Sequence, residues 1–74
     1  MPHIVIKCYK GRSKEQLQDV ASKVALTVAE TLQMNLGSVS VSVEEVDKET
    51  WPDIYKNEIY GKPENLYVEP QYKM

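Results

Sequence analysis

The first residue of this chain that could do chemistry is the proline directly after the initiator methionine. If Met1 is removed, Pro2 carries the free α-amino group as a secondary amine, and the reference pKa of an α-amino group is about 7.7–8.0. Burial in an apolar site lowers the pKa of an amine towards the value that a general base needs at neutral pH. The alternative is a structural role, since proline is accepted at the first position of a strand.

Two further side chains suit the binding of an organic acid. Arg12 lies in the turn Gly11-Arg12-Ser13, where its guanidinium can bind a carboxylate close to the N-terminus of a predicted helix, a position that favours anions. Trp51 can form the wall of an apolar pocket and so lower the pKa of a nearby amine. Each also has a simpler interpretation, as a solvated surface arginine and as a tryptophan packed in a core or an interface.

The other reactive side chains lack the partners that their chemistry needs. His3 is the only histidine and has no second metal ligand nearby, so a polar residue on a strand surface is the better interpretation. Cys8 is the only cysteine, and its place in the alternation predicts a buried, inert thiol. The serines have no histidine–carboxylate set to activate them. The sequence therefore predicts neither a metal site nor a cofactor.

Three predicted elements position these residues. Residues 3–9 alternate in polarity, as in a strand with one apolar face. Ser13 and Gln16 have the spacing of a capping box, which predicts a helix from about Lys14 to Gln33. Residues 38–46 alternate again and predict a second strand. The helix carries one apolar stripe, which consists of Leu17, Val20, Ala21, Val24, Val28 and Leu32.

The order strand, long helix, strand predicts an α/β (α+β) fold built on one βαβ unit with parallel strands and a right-handed crossover. A two-stranded sheet is too small to be stable alone, and a chain of 74 residues without a disulfide forms a thin core. We therefore expect two chains to pair into a four-stranded sheet with two helices on one face. A homodimer is the preferred assembly, and a hexamer remains open because the outward face of the sheet is mixed.

Residues 1–74 are expected to form a single domain, with residues 2–46 as the βαβ core and residues 47–74 as an aromatic-rich C-terminal cover. The cover contains Trp51 and four of the five tyrosines. A short helix is predicted over residues 53–60. The prolines and glycine that follow prevent a longer one.

Composition and charge exclude several classes of partner. The formal net charge is −2 and the acidic and basic residues are interleaved, so there is no basic stripe for a nucleic acid. No apolar run has the length of a transmembrane span, and the N-terminus has no secretory segment. The sequence predicts a cytoplasmic protein that acts on a small molecule, with no membrane partner.

Taken together, these residues resemble the 4-oxalocrotonate tautomerase family. The resemblance is carried by Pro2 opening a strand, by Gly11-Arg12-Ser13-x-Glu15-Gln16 at the start of a long helix, by a valine-rich second strand and by the aromatic Trp51. The runs Pro2-His3-Ile4-x-Ile6-Lys7-Cys8 and Glu49-Thr50-Trp51 are closer to its phenylpyruvate-type tautomerase branch. The resemblance covers residues 2–55.

The resemblance implies a cofactor-independent tautomerase that interconverts the enol and keto forms of a 2-oxo acid. It implies that Pro2 is the catalytic base, that Arg12 binds the substrate carboxylate and that Trp51 makes the site apolar. Family members that act on dicarboxylates have a second arginine where this chain has Ser40. With Ser40 at this substrate-binding position, a monocarboxylate such as phenylpyruvate is the expected substrate.

Two alternatives remain. A hydratase or dehalogenase of unsaturated acids would use a protonated Pro2 and a second, water-activating base, for which Glu44, Glu45 and Glu49 are equivalent candidates. A binding or structural module would keep the fold without activity.

Overall fold

The computed structural model describes residues 1–74, in which two parallel strands form the sheet. The first strand, β1, spans His3–Tyr9, and the second, β2, spans Ser40–Val46. The register places His3 opposite Ser40 and Tyr9 opposite Val46. The parallel βαβ unit predicted from the order of the elements is confirmed.

The helix between the strands, α1, spans Lys14–Leu32. The turn before it uses Gly11, whose φ of +123° lies in the region that glycine adopts at little cost. The hydroxyl of Ser13 accepts a hydrogen bond from the Gln16 amide at 3.1 Å, the contact that the capping box predicts. The helix ends where Gln33 turns to a φ of 56°. No helix of the chain, α1 included, is long and apolar enough to cross a membrane.

A 3-10 turn at Leu36–Ser38 connects α1 to β2. The Asn35 side-chain oxygen accepts a hydrogen bond from the Gly37 amide at 2.9 Å and holds this turn. The strand predicted over residues 38–46 therefore begins two residues later, at Ser40.

The helix α1 packs on β2 through a face rich in small residues. Four members of the predicted stripe lie on this face, whereas Val20 and Leu32 are 40% and 61% exposed in the isolated chain. The main contact of α1 with the sheet is on β2, and an open hollow separates α1 from β1. Cys8 is consequently half-buried rather than buried. The least exposed positions of α1 are Leu17, Ala21, Val24, Ala25, Val28 and Ala29.

The C-terminal cover is a succession of short helical turns. A 3-10 turn at Lys48–Thr50 leads into α2, which spans Trp51–Ile54, and a π-helical turn follows at Tyr55–Ile59. A last 3-10 turn lies at Pro63–Asn65. The helix predicted over residues 53–60 thus begins two residues earlier, because Pro52 is accommodated in its first turn, where no amide partner is needed.

This cover lies on the face of the sheet opposite α1. The ring of Trp51 meets that of Tyr9 edge-on, with centroids 5.3 Å apart, and the Lys7 ammonium lies 2.6 Å from the Glu58 carboxylate. Lys7 and Tyr9 alternate along β1 with Ile6 and Cys8, which face the α1 side. The sheet is therefore sandwiched between α1 on β2 and the cover on β1.

The isolated chain has little interior. Only Ala29 and Ile54 are buried, and the chain exposes 6048 Å². A compact monomer of 8.5 kDa exposes about 4,650 Å², so the excess is about 1,400 Å². A standard protein interface covers about 800 Å² of each partner. The surface left open is thus large enough for association with another copy.

Candidate functional site

The four site residues predicted from sequence fall into two groups at opposite ends of β1. Pro2 and Ser40 lie at its start, where the Ser40 amide donates a hydrogen bond to the Pro2 carbonyl at 3.2 Å. Arg12 lies beyond its other end and Trp51 packs on the face of its last residues, where both line the same cleft. Seven residues of strand at about 3.3 Å each separate Pro2 from Tyr9, a distance of about 23 Å.

At the start of β1, polar side chains lie next to Pro2. Pro2 is half-buried, and the imidazole Nδ1 of His3 lies 2.7 Å from the Ser40 hydroxyl. This hydrogen bond places the Ser40 side chain beside the N-terminal segment. A hydroxyl here can donate to or accept from a substrate oxygen, but it supplies no positive charge.

At the other end, Arg12 is held by the strand that precedes it. Its Nη1 donates a hydrogen bond to the Tyr9 carbonyl at 3.1 Å, and no carboxylate lies within ion-pair distance of the guanidinium. Arg12 is also the only arginine of the chain. One hydrogen bond therefore orients the guanidinium, and its charge is uncompensated, which suits a carboxylate ligand.

Arg12 opens into a cleft of about 520 Å³, which we call the Arg12 cleft. Three aromatic rings and three cationic side chains contribute to its walls, together with a thiol and a thioether. This volume is sufficient for a small organic acid. The lining residues are Lys7, Cys8, Tyr9, Arg12, Trp51, Tyr72, Lys73 and Met74.

Trp51 stands between the other two aromatic residues of the cleft. Its ring packs edge-on against Tyr9 at an interplanar angle of 82°, and its Nε1 donates a hydrogen bond to the Tyr72 hydroxyl at 2.8 Å. Sequence reasoning identified Trp51 but missed Tyr9, Tyr72 and Lys73 as cleft residues. The aromatic content of the cover was a signal for Tyr72, while nothing local to the sequence points to Lys73.

The three cationic side chains of the cleft differ in whether a carboxylate of the protein already pairs with them. The hydrogen bond that the Lys7 ammonium donates to the Glu58 carboxylate is the main cause that raises the pKa of Lys7, and Glu44 adds to it at 3.8 Å. Lys7 is therefore already ion-paired with the two glutamates. Arg12 and Lys73 have no such partner and are the cations that a bound anion would meet.

The carboxylates considered as water-activating bases lie elsewhere. Glu44 faces Lys7, and Glu45 accepts a hydrogen bond from the Gly11 amide at 3.3 Å. Glu49 belongs to the 3-10 turn at Lys48–Thr50 and is exposed. None of the three lines the Arg12 cleft.

Comparison with known proteins gives one consistent result. The sequence profile of the family described as "Tautomerase enzyme" matches residues 2–52. A probable tautomerase of Xylella fastidiosa (strain 9a5c) is 36% identical over 97% of this chain and 89% of its own length. The tautomerase PptA of Escherichia coli O127:H6 is 32% identical over the full length of both chains, and that of Shigella sonnei is 31% identical over the same extent.

The matched segment contains Pro2, Arg12 and Trp51, and with them the whole βαβ unit, from β1 through α1 to β2. The family that was suggested by a proline at a strand start and an arginine at a turn is thereby confirmed. The chain belongs to the tautomerase family and is an isomerase-type enzyme.

Proposed function

We propose that this protein is a cofactor-independent tautomerase of 2-oxo monocarboxylic acids, with phenylpyruvate as the representative substrate. Pro2, freed by removal of Met1, is the general base. Arg12 binds the substrate carboxylate, Trp51 keeps the cleft apolar, and Ser40 lies at the position that would carry a second arginine in an enzyme for dicarboxylates.

The observation that carries the proposal is the uncompensated Arg12 guanidinium beside aromatic rings. The Arg12 guanidinium can bind a carboxylate through two parallel hydrogen bonds, which the Lys73 ammonium, the other unpaired cation of the cleft, cannot do. The rings of Tyr9 and Trp51 match an aryl or other planar side chain. A dicarboxylate would need a second cation next to the reacting carbons. At the Pro2 end the neutral Ser40 occupies that place, bonded to His3.

The reaction itself moves one proton. The Pro2 amine takes the proton of the 2-hydroxyl group of the enol, the C2–O bond becomes a carbonyl, and the electrons of the C2–C3 double bond accept the proton from the Pro2 ammonium at C3. Proton transfer by a positioned base contributes about 10²–10⁴-fold. No electron is gained or lost, so the step needs no redox partner.

The geometry of β1 implies that two chains build one site. The hydroxyl and the carboxylate of the enol are on adjacent carbons, and a base must come within about 2.6–3.2 Å of the atom that it deprotonates. Pro2 and Arg12 of the same chain are about 23 Å apart along β1 and cannot both reach such a substrate. The Arg12 cleft of one chain therefore receives the Pro2 amine of another.

Assembly follows from the same requirement. We propose a homodimer, in which the open α1 side of β1 and the exposed Val20 and Leu32 of α1 meet those of the second chain. A hexamer is the alternative. The chain is proposed to act as one domain, residues 1–74, in the cytoplasm. Its partner is a small-molecule enol or 2-oxo acid.

The proposal is tested with a panel of enol acids that differ in charge and side chain. We expect ketonisation of enol-phenylpyruvate to be faster than that of an enol dicarboxylate. Arg12→Ala should lower kcat/KM by about 10–100-fold, the loss of a charge-assisted hydrogen bond. Lys14→Ala, which removes an exposed cation two residues away, is the matched control and should leave the rate unchanged.

Two outcomes would contradict this proposal and favour an alternative. Hydration or dehalogenation of an unsaturated acid without tautomerisation would favour the hydratase alternative. A folded, assembled protein that is inactive on the whole panel would favour a binding or structural module.

A further inference from the structure

We propose that Tyr72 determines the preference of the site for aryl substrates, by positioning Trp51 as one wall of a planar slot in the Arg12 cleft. This inference rests on the proposed function, because it assigns a role within the same cleft. Tyr72 is here a positioning residue, one that contacts the aromatic wall and not the reacting atoms.

The first observation is that Tyr72 comes from a distant part of the chain. It lies 21 residues after Trp51, and its hydroxyl accepts the indole hydrogen bond at 2.8 Å. The last residues of the cover therefore fold back over the end of β1. Lys73 and Met74, which follow, line the cleft as well.

The second observation is that the Tyr72 ring is itself held. It packs against the Tyr55 ring with centroids 5.8 Å apart, and Tyr55 packs against Tyr60 at 5.0 Å. Burial is the largest of the causes that raise the pKa of Tyr60, so that phenol stays neutral through the physiological range. Three tyrosines from the cover thus form one support behind the tryptophan.

These contacts restrict Trp51 on two sides. Tyr9 meets the indole edge-on from β1, and Tyr72 holds the indole N–H from the cover. With both contacts in place, the indole ring cannot rotate without losing a hydrogen bond. A fixed ring offers a flat surface at a set distance from Arg12, and this favours a planar aryl group over a flexible alkyl chain.

The test compares three single variants in the full-length enzyme. Tyr72→Phe removes the hydrogen bond and keeps the ring, Tyr72→Leu removes both, and Tyr67→Phe is the control. Tyr67 is 93% exposed and makes no hydrogen bond, so the control carries the same chemical change outside the cleft. Steady-state kinetics are measured with enol-phenylpyruvate and with an enol monocarboxylate that has a short alkyl side chain.

We expect Tyr72→Phe to raise KM for the aryl enol by about 2–10-fold, the effect of one neutral hydrogen bond. Tyr72→Leu should raise it by about 10-fold, with kcat changed by less than about 2-fold. The alkyl enol should be converted by all variants with nearly the same KM. A general loss of structure would instead lower kcat for both substrates together.

A spectroscopic readout is independent of turnover. Trp51 is the only tryptophan of the chain, so its fluorescence reports this contact alone. Tyr72→Phe should shift the emission maximum and weaken the quenching caused by phenylacetate, used as an unreactive aryl acid, whereas Tyr67→Phe should change neither.

The inference would be overturned if both Tyr72 variants kept the wild-type KM for the aryl and the alkyl enol and also kept the wild-type fluorescence emission. If Arg12→Ala then still lowered kcat/KM by about 10–100-fold, the proposed function would stand. If the wild-type enzyme converted no enol acid, the proposed function would fail, and weaker phenylacetate binding in Tyr72→Phe would still support the role of Tyr72.

Discussion

Pro2 and Arg12 lie at the two ends of the same strand, with the seven residues of β1 between them. The Pro2 carbonyl accepts the first interstrand hydrogen bond from Ser40, and the Arg12 guanidinium binds the Tyr9 carbonyl where the strand ends. In the proposed function, Pro2 and Arg12 serve adjacent carbons of one substrate, so they must come from different chains of an assembly.

The amine of Pro2 is predicted to control the pH dependence of the reaction. As the pH rises, kcat/KM for the enol should increase through one ionisation of the free enzyme, at or below the reference α-amino value of about 7.7–8.0. Pro2→Ala retains a primary amine and should be slower but active. A variant with an uncleavable residue ahead of Pro2 has an amide nitrogen and should be nearly inactive, although folded and assembled. Full activity in that variant would reduce Pro2 to a strand-start residue.

Mixed assemblies should recover activity from two variants whose own sites are impaired. Coexpression of the N-terminally blocked variant with Arg12→Ala gives dimers in which one site combines an intact Pro2 with an intact Arg12. Random pairing in a two-fold dimer restores about one quarter of the wild-type sites. The recovered kcat is measured on the mixture and compared with each variant alone. No recovery in verified mixed dimers would place both residues of a site in one chain.

The protein should have no folded monomer at micromolar concentration. Because only Ala29 and Ile54 are buried in the isolated chain, most of the stability must come from association. Sedimentation equilibrium is expected to give a dimer or a multiple of it, and the midpoint of thermal unfolding should fall on dilution. A well-folded monomer with a concentration-independent midpoint would contradict this prediction.

The ion pair between Lys7 and Glu58 should anchor the cover at neutral pH. Since its main partner Glu58 raises the pKa of Lys7 above 10.5, the contribution of the charged lysine to stability is complete below 10.5 and is lost as the pH rises through the raised value. Glu58→Gln should therefore lower the unfolding midpoint slightly at pH 7, and this difference should shrink at strongly alkaline pH. Glu64→Gln, at an exposed carboxylate without an ion pair, is the control. An equal effect of both substitutions would mean that Glu58 does not anchor the cover.

The sequence alone determined the βαβ unit. Alternation of polarity over residues 3–9 and the contact between Ser13 and Gln16 are local effects of backbone periodicity and capping, and these hold whatever the rest of the chain does. The side chain of Arg12 was recognisable for the same reason, since a turn between a strand and a helix is defined by its neighbours.

Only the tertiary structure decided which of these residues meet. The contact of Trp51 with Tyr72 spans 21 residues of irregular turns, and no periodicity predicts such a contact. The packing of α1 on β2 joins segments that are far apart in the sequence, and it leaves Cys8 half-buried on the α1 side of β1. Long-range packing is the balance of many weak contacts against chain entropy, so it is settled by the whole molecule and not by any one segment.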